Sequence, residues 1–188
     1  MDALVLIDLQ EDFFDAGPLA ERRAAIVQVV NTVARDVAAA GGAVIEVRTQ
    51  HRRDKSTWAL NMLEDDQPVV LEGTDGVRRL PELDLPDGTV ELVKTRDDAF
   101  LGTDLEHLLR ELAPQHVFLA GVSTEACIAL TAASAYARNF EVVLIDDAIA
   151  SADADAHERF VDWLQDQYRQ HSVPSGEVAA MLRSTSSR

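Results

Sequence analysis

The chain has 188 residues, with 33 Asp or Glu against 17 Lys or Arg, so its formal charge at pH 7 is -16. At this length, with 47% apolar residues, one domain can bury a core without a metal ion or a disulfide. The single cysteine excludes an internal disulfide and favours a reducing compartment. The negative charge argues against nucleic acid and anionic membranes as partners. Without a basic leader or an apolar run near the ~20 residues that span a bilayer, we predict a cytoplasmic protein.

Short runs of Val, Ile and Leu alternate with longer segments of helical period, the pattern of parallel strands covered by helices on both faces. The predicted strands, in chain order, are residues 3–9, 43–47, 90–93, 116–120, 142–145 and 171–173. The predicted helices are residues 19–40, 104–112, 125–138, 155–170 and 175–182. We therefore predict one α/β domain over residues 1–182, with a mostly parallel sheet, and a disordered tail over residues 183–188.

The stretch between the second and third predicted strands, residues 48–89, has little periodicity apart from a possible short helix over 58–63. A loop of this length is usually functional or contains unrecognised elements. It begins with the basic cluster of an acidic chain, residues 51–55 (HRRDK). Two interpretations stay open: a solvated loop, or a lid whose cations meet an anionic or carbonyl group of a substrate.

Three reactive side chains follow strands of the predicted sheet. Asp8 ends the first strand, Lys94 ends the third, and Cys127 comes shortly after the fourth. In doubly wound sheets, ligands bind outside the carboxyl ends of the strands, so these residues are expected at one edge. Taken singly, Asp8 could form a turn, Lys94 could be surface charge, and Cys127 could be an inert core residue. Their convergence favours function, because a buried acid and a buried lysine each need a partner.

This set of residues suits nucleophilic catalysis. A thiol in the first turn of a helix and near a lysine is expected to have a lowered pKa, which favours the nucleophilic thiolate. Asp8 could take the thiol proton and later give it to a leaving amine. The backbone N–H groups of Ser123 and Cys127, at the turn from strand to helix, are placed to hold a developing oxyanion.

With those residues identified, the chain resembles the isochorismatase-like cysteine hydrolase superfamily, which includes nicotinamidases, N-carbamoylsarcosine amidase and isochorismatases. Four blocks carry the resemblance, in the order and spacing of the superfamily. They are residues 3–14 (ALVLIDLQEDFF), 72–76 (EGTDG), 93–105 (VKTRDDAFLGTDL) and 119–147 (LAGVSTEACIALTAASAYARNFEVVLIDD).

The resemblance implies a three-layer, Rossmann-like α/β/α sandwich with a six-stranded sheet in the order 3-2-1-4-5-6. It also implies a catalytic triad of Asp8, Lys94 and Cys127. A cis peptide bond is implied between Val122 and Ser123, which aims the amides of Ser123 and Cys127 into an oxyanion hole. Relatives usually assemble as dimers or tetramers, so the resemblance implies a homo-oligomer acting on a small molecule.

Two departures narrow the function. Nicotinamidases place an Asp-x-His pair and a further His after the second strand to bind a metal, whereas this chain has only His51 there. We therefore expect no metal and no cofactor, which weakens nicotinamide as a substrate. Isochorismatases generally lack the nucleophilic cysteine, so Cys127 favours the amidohydrolase branch. Residues after the first and second strands are candidate substrate contacts, although the two phenylalanines could equally be core: Gln10, Phe13, Phe14, Gln50, His51 and Trp58.

Three hypotheses follow. The first is a metal-independent cysteine amidohydrolase that cleaves a C–N bond of a small amide, carbamoyl or ureido substrate through a thioester. The second is a vinyl-ether hydrolase of the isochorismatase type, which uses Asp8 and Lys94 without the thiol. The third is a binding or assembly module that keeps the fold without turnover.

Overall fold

The structure of the protein, a computed structural model, describes residues 1–185. The strands are β1 (Ala3–Ile7), β2 (Ala43–Thr49), β3 (Val90–Lys94), β4 (Val117–Val122), β5 (Val142–Ala150) and β6 (His171–Val173). The α-helices are α1 (Gly17–Ala39), α2 (Leu60–Asp65), α3 (Leu105–Leu112), α4 (Ala129–Ala137), α5 (Ala154–Tyr168) and α6 (Ser175–Thr185). A 3-10 turn spans Glu11–Phe13, and a π-helical turn spans Thr124–Ile128.

All six strands run parallel in one sheet with the order β3-β2-β1-β4-β5-β6, which confirms the predicted topology. The register pairs Ile7, the last residue of β1, with Val47 on one side and Gly121 on the other. Thr49 pairs with Lys94 where β2 and β3 end. The residues that follow these strands therefore meet at the carboxyl edge of the sheet, where ligands bind in folds of this type.

Two apolar cores lie on opposite faces of the sheet, because successive strand residues point to opposite sides. On one face, Leu4 and Leu6 pack in a cluster with residues of α1 and α6, such as Val30 and Val178. On the other face, Val5 and Ile7 share a cluster with residues of α3, α4 and α5. The architecture is thus the expected three-layer α/β/α sandwich. No helix within residues 1–185 is long and apolar enough to cross a lipid bilayer.

Some predicted boundaries were wrong. Strand β5 continues five residues further than expected, through Asp146 and Asp147, to Ala150. These two exposed acids interrupt the apolar run near a register irregularity against β4, which hid the second half of the strand. Helix α6 reaches Thr185, so residues 183–185 of the predicted disordered tail are helical. Buried Val178 and Leu182 anchor this helix, which continues its turns past the last apolar position. The rest of that tail, residues 186–188, lies outside the described residues.

The stretch over residues 48–89 is neither a solvated loop nor a free lid. It contains α2, which begins at Leu60, two residues later than the predicted helix. Isolated bridges join Gln10 to Arg79 and His51 to Leu71. A carboxylate oxygen of Asp12 accepts a hydrogen bond from the Val70 amide, and a Cβ on Gly76 would lie 1.7 Å from the other oxygen. Gly76, the second glycine of the EGTDG block, therefore allows this stretch to pack against the 3-10 turn after β1.

Candidate active site

A buried ion pair between Asp8 and Lys94 lies at the carboxyl edge of the sheet. Lys94 Nζ is 2.8 Å from Asp8 Oδ2, and each side chain is 1% exposed. Asp8 follows β1 with a φ of 55°, a left-handed conformation that Asp tolerates better than most residues. This turn directs its carboxylate toward the end of β2, where Asp8 Oδ1 accepts hydrogen bonds from the amide and hydroxyl of Thr49, at 3.0 and 2.8 Å.

The hydroxyl of Thr49 connects the two charged groups. It donates to Asp8 Oδ1 and accepts a 2.7 Å hydrogen bond from Lys94 Nζ. The buried amide of Gln10 holds Thr49 in turn, since its Nε2 donates to the Thr49 carbonyl and its Oε1 accepts from the Thr49 amide. Gln10, predicted as a substrate contact, therefore fixes the end of β2 and does not line the cavity described below.

Cys127 reaches the same site from β4, which pairs with β1 on the side opposite β2. Strand β4 ends at Val122, the Val122–Ser123 peptide bond is cis as the resemblance implies, and the chain enters the π-helical turn that contains Cys127. Single π-helical turns are frequent at functional sites. The Sγ atom accepts a hydrogen bond from Lys94 Nζ at 3.3 Å and donates to Asp97 Oδ1 at 3.7 Å.

The charge state of the thiol differs from the expectation. Burial and the nearby Asp8 carboxylate raise the pKa of Cys127 well above its usual range, and the opposing effect of Lys94 does not reverse this. Burial works against the Lys94 ammonium, but Asp8 and Cys127 outweigh it, so the pKa of Lys94 is raised. The resting site therefore contains a neutral thiol beside an ion pair. The predicted lowering of the thiol pKa was wrong, because burial and a carboxylate outweigh the lysine.

A cavity of about 220 Å³ opens onto the thiol. It lies between the carboxyl edge of the sheet and the stretch that carries α2. Its lining residues are Phe13, Thr49, His51, Ala59, Asn61, Met62, Val69, Val70, Thr95, Arg96, Asp97, Ser123, Ala126 and Cys127. Ligand pockets for drug-sized molecules usually measure ~300–1,000 Å³, so this cavity fits a smaller molecule.

Two of the six predicted substrate contacts line the cavity. Phe13 is one. His51 is the other, and its Nδ1 lies 2.9 Å from the Thr57 carbonyl. Because a carbonyl only accepts, Nδ1 carries the proton and Nε2 is the unprotonated nitrogen of the neutral ring. Burial, the largest effect, lowers the pKa of His51 and so favours this neutral form.

The remaining predicted contacts have other positions. Phe14 is 2% exposed and belongs to the core on the α1 face. The Trp58 indole donates a 2.9 Å hydrogen bond to the Arg52 carbonyl. The Gln50 backbone N–H donates to the Lys94 carbonyl. Phe14, Gln50 and Trp58 are not among the described residues that line the cavity, so their contact with a substrate stays a prediction.

The basic cluster over residues 51–55 mostly binds its own segment. Arg53 Nε donates to the Glu72 carbonyl, and Lys55 pairs with Asp66. Only His51 of this cluster reaches the cavity. The expectation that these cations face a substrate is therefore wrong for Arg53 and Lys55, because nearer carbonyls and a carboxylate bind them.

Sequence reasoning missed Thr49, Arg96 and Asp97. Thr49 lay beyond the predicted end of β2, although the strand-end argument that selected Asp8 and Lys94 applies to it equally. Arg96 and Asp97 come two and three residues after Lys94, in a charged run that carries no local signal for a site. Among residues 1–185, no group of three or more His, Cys, Asp and Glu side chains is arranged to hold a metal ion.

Comparison with known proteins identifies a family match and several related proteins. Residues 2–171 match the family described as the Isochorismatase domain. The "Uncharacterized isochorismatase family protein YecD" of Escherichia coli O157:H7 is 29% identical over 162 residues, which is 85% of each chain. The crystal structure of N-carbamoylsarcosine amidase from Thermoplasma acidophilum superposes with a TM-score of 0.79 at 26% identity, covering 93% of this chain and 97% of that one.

A third relative is the nicotinamidase/pyrazinamidase of Bacillus subtilis. Its structure matches with a TM-score of 0.80 at 25% identity, covering 92% of this chain and 100% of that one. The family match spans almost the whole chain, and these structures share its three-layer fold. The chain therefore belongs to the isochorismatase family of hydrolases.

Proposed function

We propose that this protein is a metal-independent cysteine amidohydrolase that cleaves the C–N bond of a small amide, carbamoyl or ureido substrate. The observation that carries the proposal is the position of Lys94 Nζ, 2.8 Å from Asp8 Oδ2 and 3.3 Å from Cys127 Sγ, behind a cavity that opens onto the sulfur. A single cation therefore contacts both a nucleophile and a proton acceptor and can orient the two.

In the first half of the reaction, Asp8 takes the thiol proton as Cys127 Sγ attacks the carbonyl carbon. Within residues 1–185, Asp8 Oδ2 accepts no hydrogen bond beyond its ion pair with Lys94, so it has a lone pair available for this proton. The carbonyl oxygen becomes an oxyanion, which the amides of Ser123 and Cys127 bind. Asp8 then passes its proton to the leaving nitrogen, the C–N bond breaks, and a thioester remains on Cys127.

In the second half, Asp8 removes a proton from water as the water oxygen attacks the thioester carbon. The C–S bond breaks, the carboxylic or carbamic acid leaves, and the proton on Asp8 returns to the sulfur. Lys94 holds the Asp8 side chain in place through both halves. The raised pKa of the free thiol fits this cycle, because the nucleophile is formed only when Asp8 accepts its proton.

The size of the cavity and the relatives support a small substrate. At about 220 Å³, the cavity suits a molecule below drug size. One structural relative is an N-carbamoylsarcosine amidase and another is a nicotinamidase/pyrazinamidase. By their names, both act on amide bonds.

The proposal is tested by an ammonia-release screen of the purified protein with small carboxamides, carbamoyl amino acids and ureido acids. Cys127→Ala and Asp8→Asn serve as paired inactive controls. We expect release with at least one class and loss of that release in both variants. Release that persists in Cys127→Ala would contradict the thioester mechanism.

A vinyl-ether hydrolase is the alternative, because the pair of Asp8 and Lys94 is complete without the sulfur. In that reaction Asp8 would protonate the ether, and Cys127 would be incidental. Stoichiometric alkylation with iodoacetamide separates the two reactions. Amide hydrolysis should disappear, whereas isochorismate hydrolysis that survives alkylation at full rate would favour the alternative.

We also propose that the protein is a homo-oligomer, a dimer or tetramer. The helices that cover one face of the sheet expose large apolar side chains, namely Leu130, Tyr136 and Trp163. Size-exclusion chromatography with light scattering measures the mass directly, and a monomer across the micromolar range would contradict this expectation.

A further inference from the structure

Asp97 is a charged residue of the cavity that the proposed mechanism does not use. It lies three residues after Lys94, and its Oδ1 is 3.7 Å from Cys127 Sγ. Its side chain lines the cavity and is exposed to solvent. Among the described residues, Asp97 has no ion-pair partner, and its hydrogen bond is the one from the Cys127 thiol.

The other charges around the cavity are already neutralised or bound. Asp8 and Lys94 form an ion pair, so they add little net charge. Arg96 Nη1 donates to the carbonyls of Thr57 and Thr95 at 2.7 and 2.5 Å, which holds this guanidinium against the backbone. His51 donates its Nδ1 proton to the Thr57 carbonyl. Within residues 1–185, the carboxylate of Asp97 is therefore the charged group beside the sulfur that forms no ion pair and keeps lone pairs available for a ligand.

The distance between Asp97 Oδ1 and Cys127 Sγ indicates which part of a substrate Asp97 would contact. During attack, the substrate carbonyl carbon bonds to Cys127 Sγ, and the atoms attached to that carbon lie one bond further out. A carboxylate oxygen 3.7 Å from the sulfur is within hydrogen-bond reach of these atoms. It accepts hydrogen bonds from N–H groups and attracts cations, and it repels carboxylates.

We propose that Asp97 is a specificity-determining residue that selects substrates with a nitrogen donor or a cationic nitrogen next to the scissile carbonyl, as in ureido compounds and α-amino amides. Neutral carboxamides without such a nitrogen bind less well, and substrates with an anion at that position are rejected. This inference deepens the proposed function and rests on it for the identity of the reaction.

Chemical modification of Cys127, the single cysteine, tests the effect of the Asp97 charge without any assay of turnover. Three methanethiosulfonate reagents of similar size form a disulfide with Cys127 and release methanesulfinate, while the thiol proton goes to solvent. They are the cationic 2-aminoethyl, the anionic 2-sulfonatoethyl and the neutral methyl reagents. Because Cys127 is the only cysteine in the chain, intact mass spectrometry follows modification of this one site.

We expect Asp97→Asn to lower the ratio of the cationic to the anionic rate by at least about tenfold, the scale of one hydrogen bond or ion pair to a charged group. Any general change in thiol reactivity cancels in this ratio, and the neutral reagent reports it separately. Asp65→Asn is the matched control, because Asp65 is an exposed acid of the neighbouring helix α2 that does not line the cavity. Asp97→Ser, which also removes the charge, should repeat the result.

The proposal is overturned if the ratio is unchanged in both Asp97 variants, or if Asp65→Asn lowers it equally. A turnover comparison of glycinamide with propionamide then reports on the reaction itself. If either is hydrolysed, Asp97→Asn should reduce kcat/KM for glycinamide by about tenfold relative to propionamide. If neither these amides nor any ureido compound releases ammonia, the proposed hydrolase fails, whereas the reagent ratio still decides the role of Asp97.

Discussion

Lys94 and Asp8 form an ion pair of 2.8 Å in which both side chains are 99% removed from solvent, at the end of two strands that do not pair with each other. Burying two charges costs several kcal/mol per ion before their attraction repays it, so such pairs are weak sources of stability. Thr49, on the strand between them, bonds to both. The main role of this buried ion pair is therefore to place a carboxylate and a cation beside the sulfur of Cys127.

Thr49 is predicted to be a positioning residue. In Thr49→Val, the hydroxyl that donates to Asp8 and accepts from Lys94 is lost at nearly constant volume. Lost hydrogen bonds to charged groups are worth ~1.5–3 kcal/mol, so we expect kcat to fall by ~10–100-fold with little change in KM. Thr49→Ser keeps the hydroxyl and should restore most of the rate. A larger effect on KM than on kcat in steady-state assays would contradict this role.

Asp8→Asn is predicted to stop turnover yet increase the reactivity of the thiol toward iodoacetamide. Burial and then Asp8 raise the pKa of Cys127, whereas Lys94 lowers it. Removing the carboxylate leaves burial as the main effect that opposes the lysine, so the thiol pKa falls and the thiolate fraction at pH 7 rises, by about tenfold for each unit. The measurement is the alkylation rate against pH, followed by intact mass.

The wild-type profile should have its midpoint above that of N-acetylcysteine in the same buffers, and the Asp8→Asn profile should lie below the wild type. Asp65→Asn controls for the loss of one negative charge elsewhere. Equal midpoints in wild type and Asp8→Asn would show that Asp8 does not act on the thiol.

Gly121 is predicted to be essential for stability. It lies in β4 with a φ of 127°, and a Cβ there would meet the carbonyl oxygen of Ile7, its partner in β1, at 1.9 Å. Overpacking and the strained backbone together should cost Gly121→Ala at least about 2 kcal/mol of unfolding free energy in urea. Gly176→Ala, where a Cβ meets nothing within 4 Å, is the matched control and should change stability little.

How far the sequence predicts this molecule is seen best at Asp8, Lys94 and Cys127. Asp8 and Cys127 follow the buried strands β1 and β4, Lys94 ends β3, and the order of parallel strands alone places all three at one edge. The strand order is observed, and the three side chains are in contact. The predicted shift of the Cys127 pKa was wrong, because the pKa depends on the balance between desolvation and two nearby groups of opposite charge.

The stretch that covers the site was predicted least well. Trp58 is predicted as a substrate contact, and in the structure its indole N–H donates to the Arg52 carbonyl, six residues away. Met62 and Val70 line the cavity instead, and neither carries a chemical signal that sequence reasoning could detect. Positions in an irregular segment depend on tertiary bridges, such as that between His51 and Leu71, which no local pattern encodes.

Removal of metal ions is predicted to leave activity unchanged. The second strand is followed by His51 without a neighbouring acid, and its Nδ1 is bound to the Thr57 carbonyl. Dialysis against EDTA, followed by assay with and without added Zn²⁺ or Mn²⁺, checks this. A loss of activity that either ion restores would contradict a metal-independent reaction.

The most direct test of the account is the mass of the enzyme during turnover. With the substrate that releases ammonia fastest, acid quenching followed by intact mass spectrometry should reveal an acyl adduct on Cys127, because the thioester is a covalent intermediate. Cys127→Ala should show no adduct and less than about a thousandth of the wild-type rate. An unmodified enzyme throughout turnover, together with a Cys127→Ala variant that still releases ammonia, would contradict it.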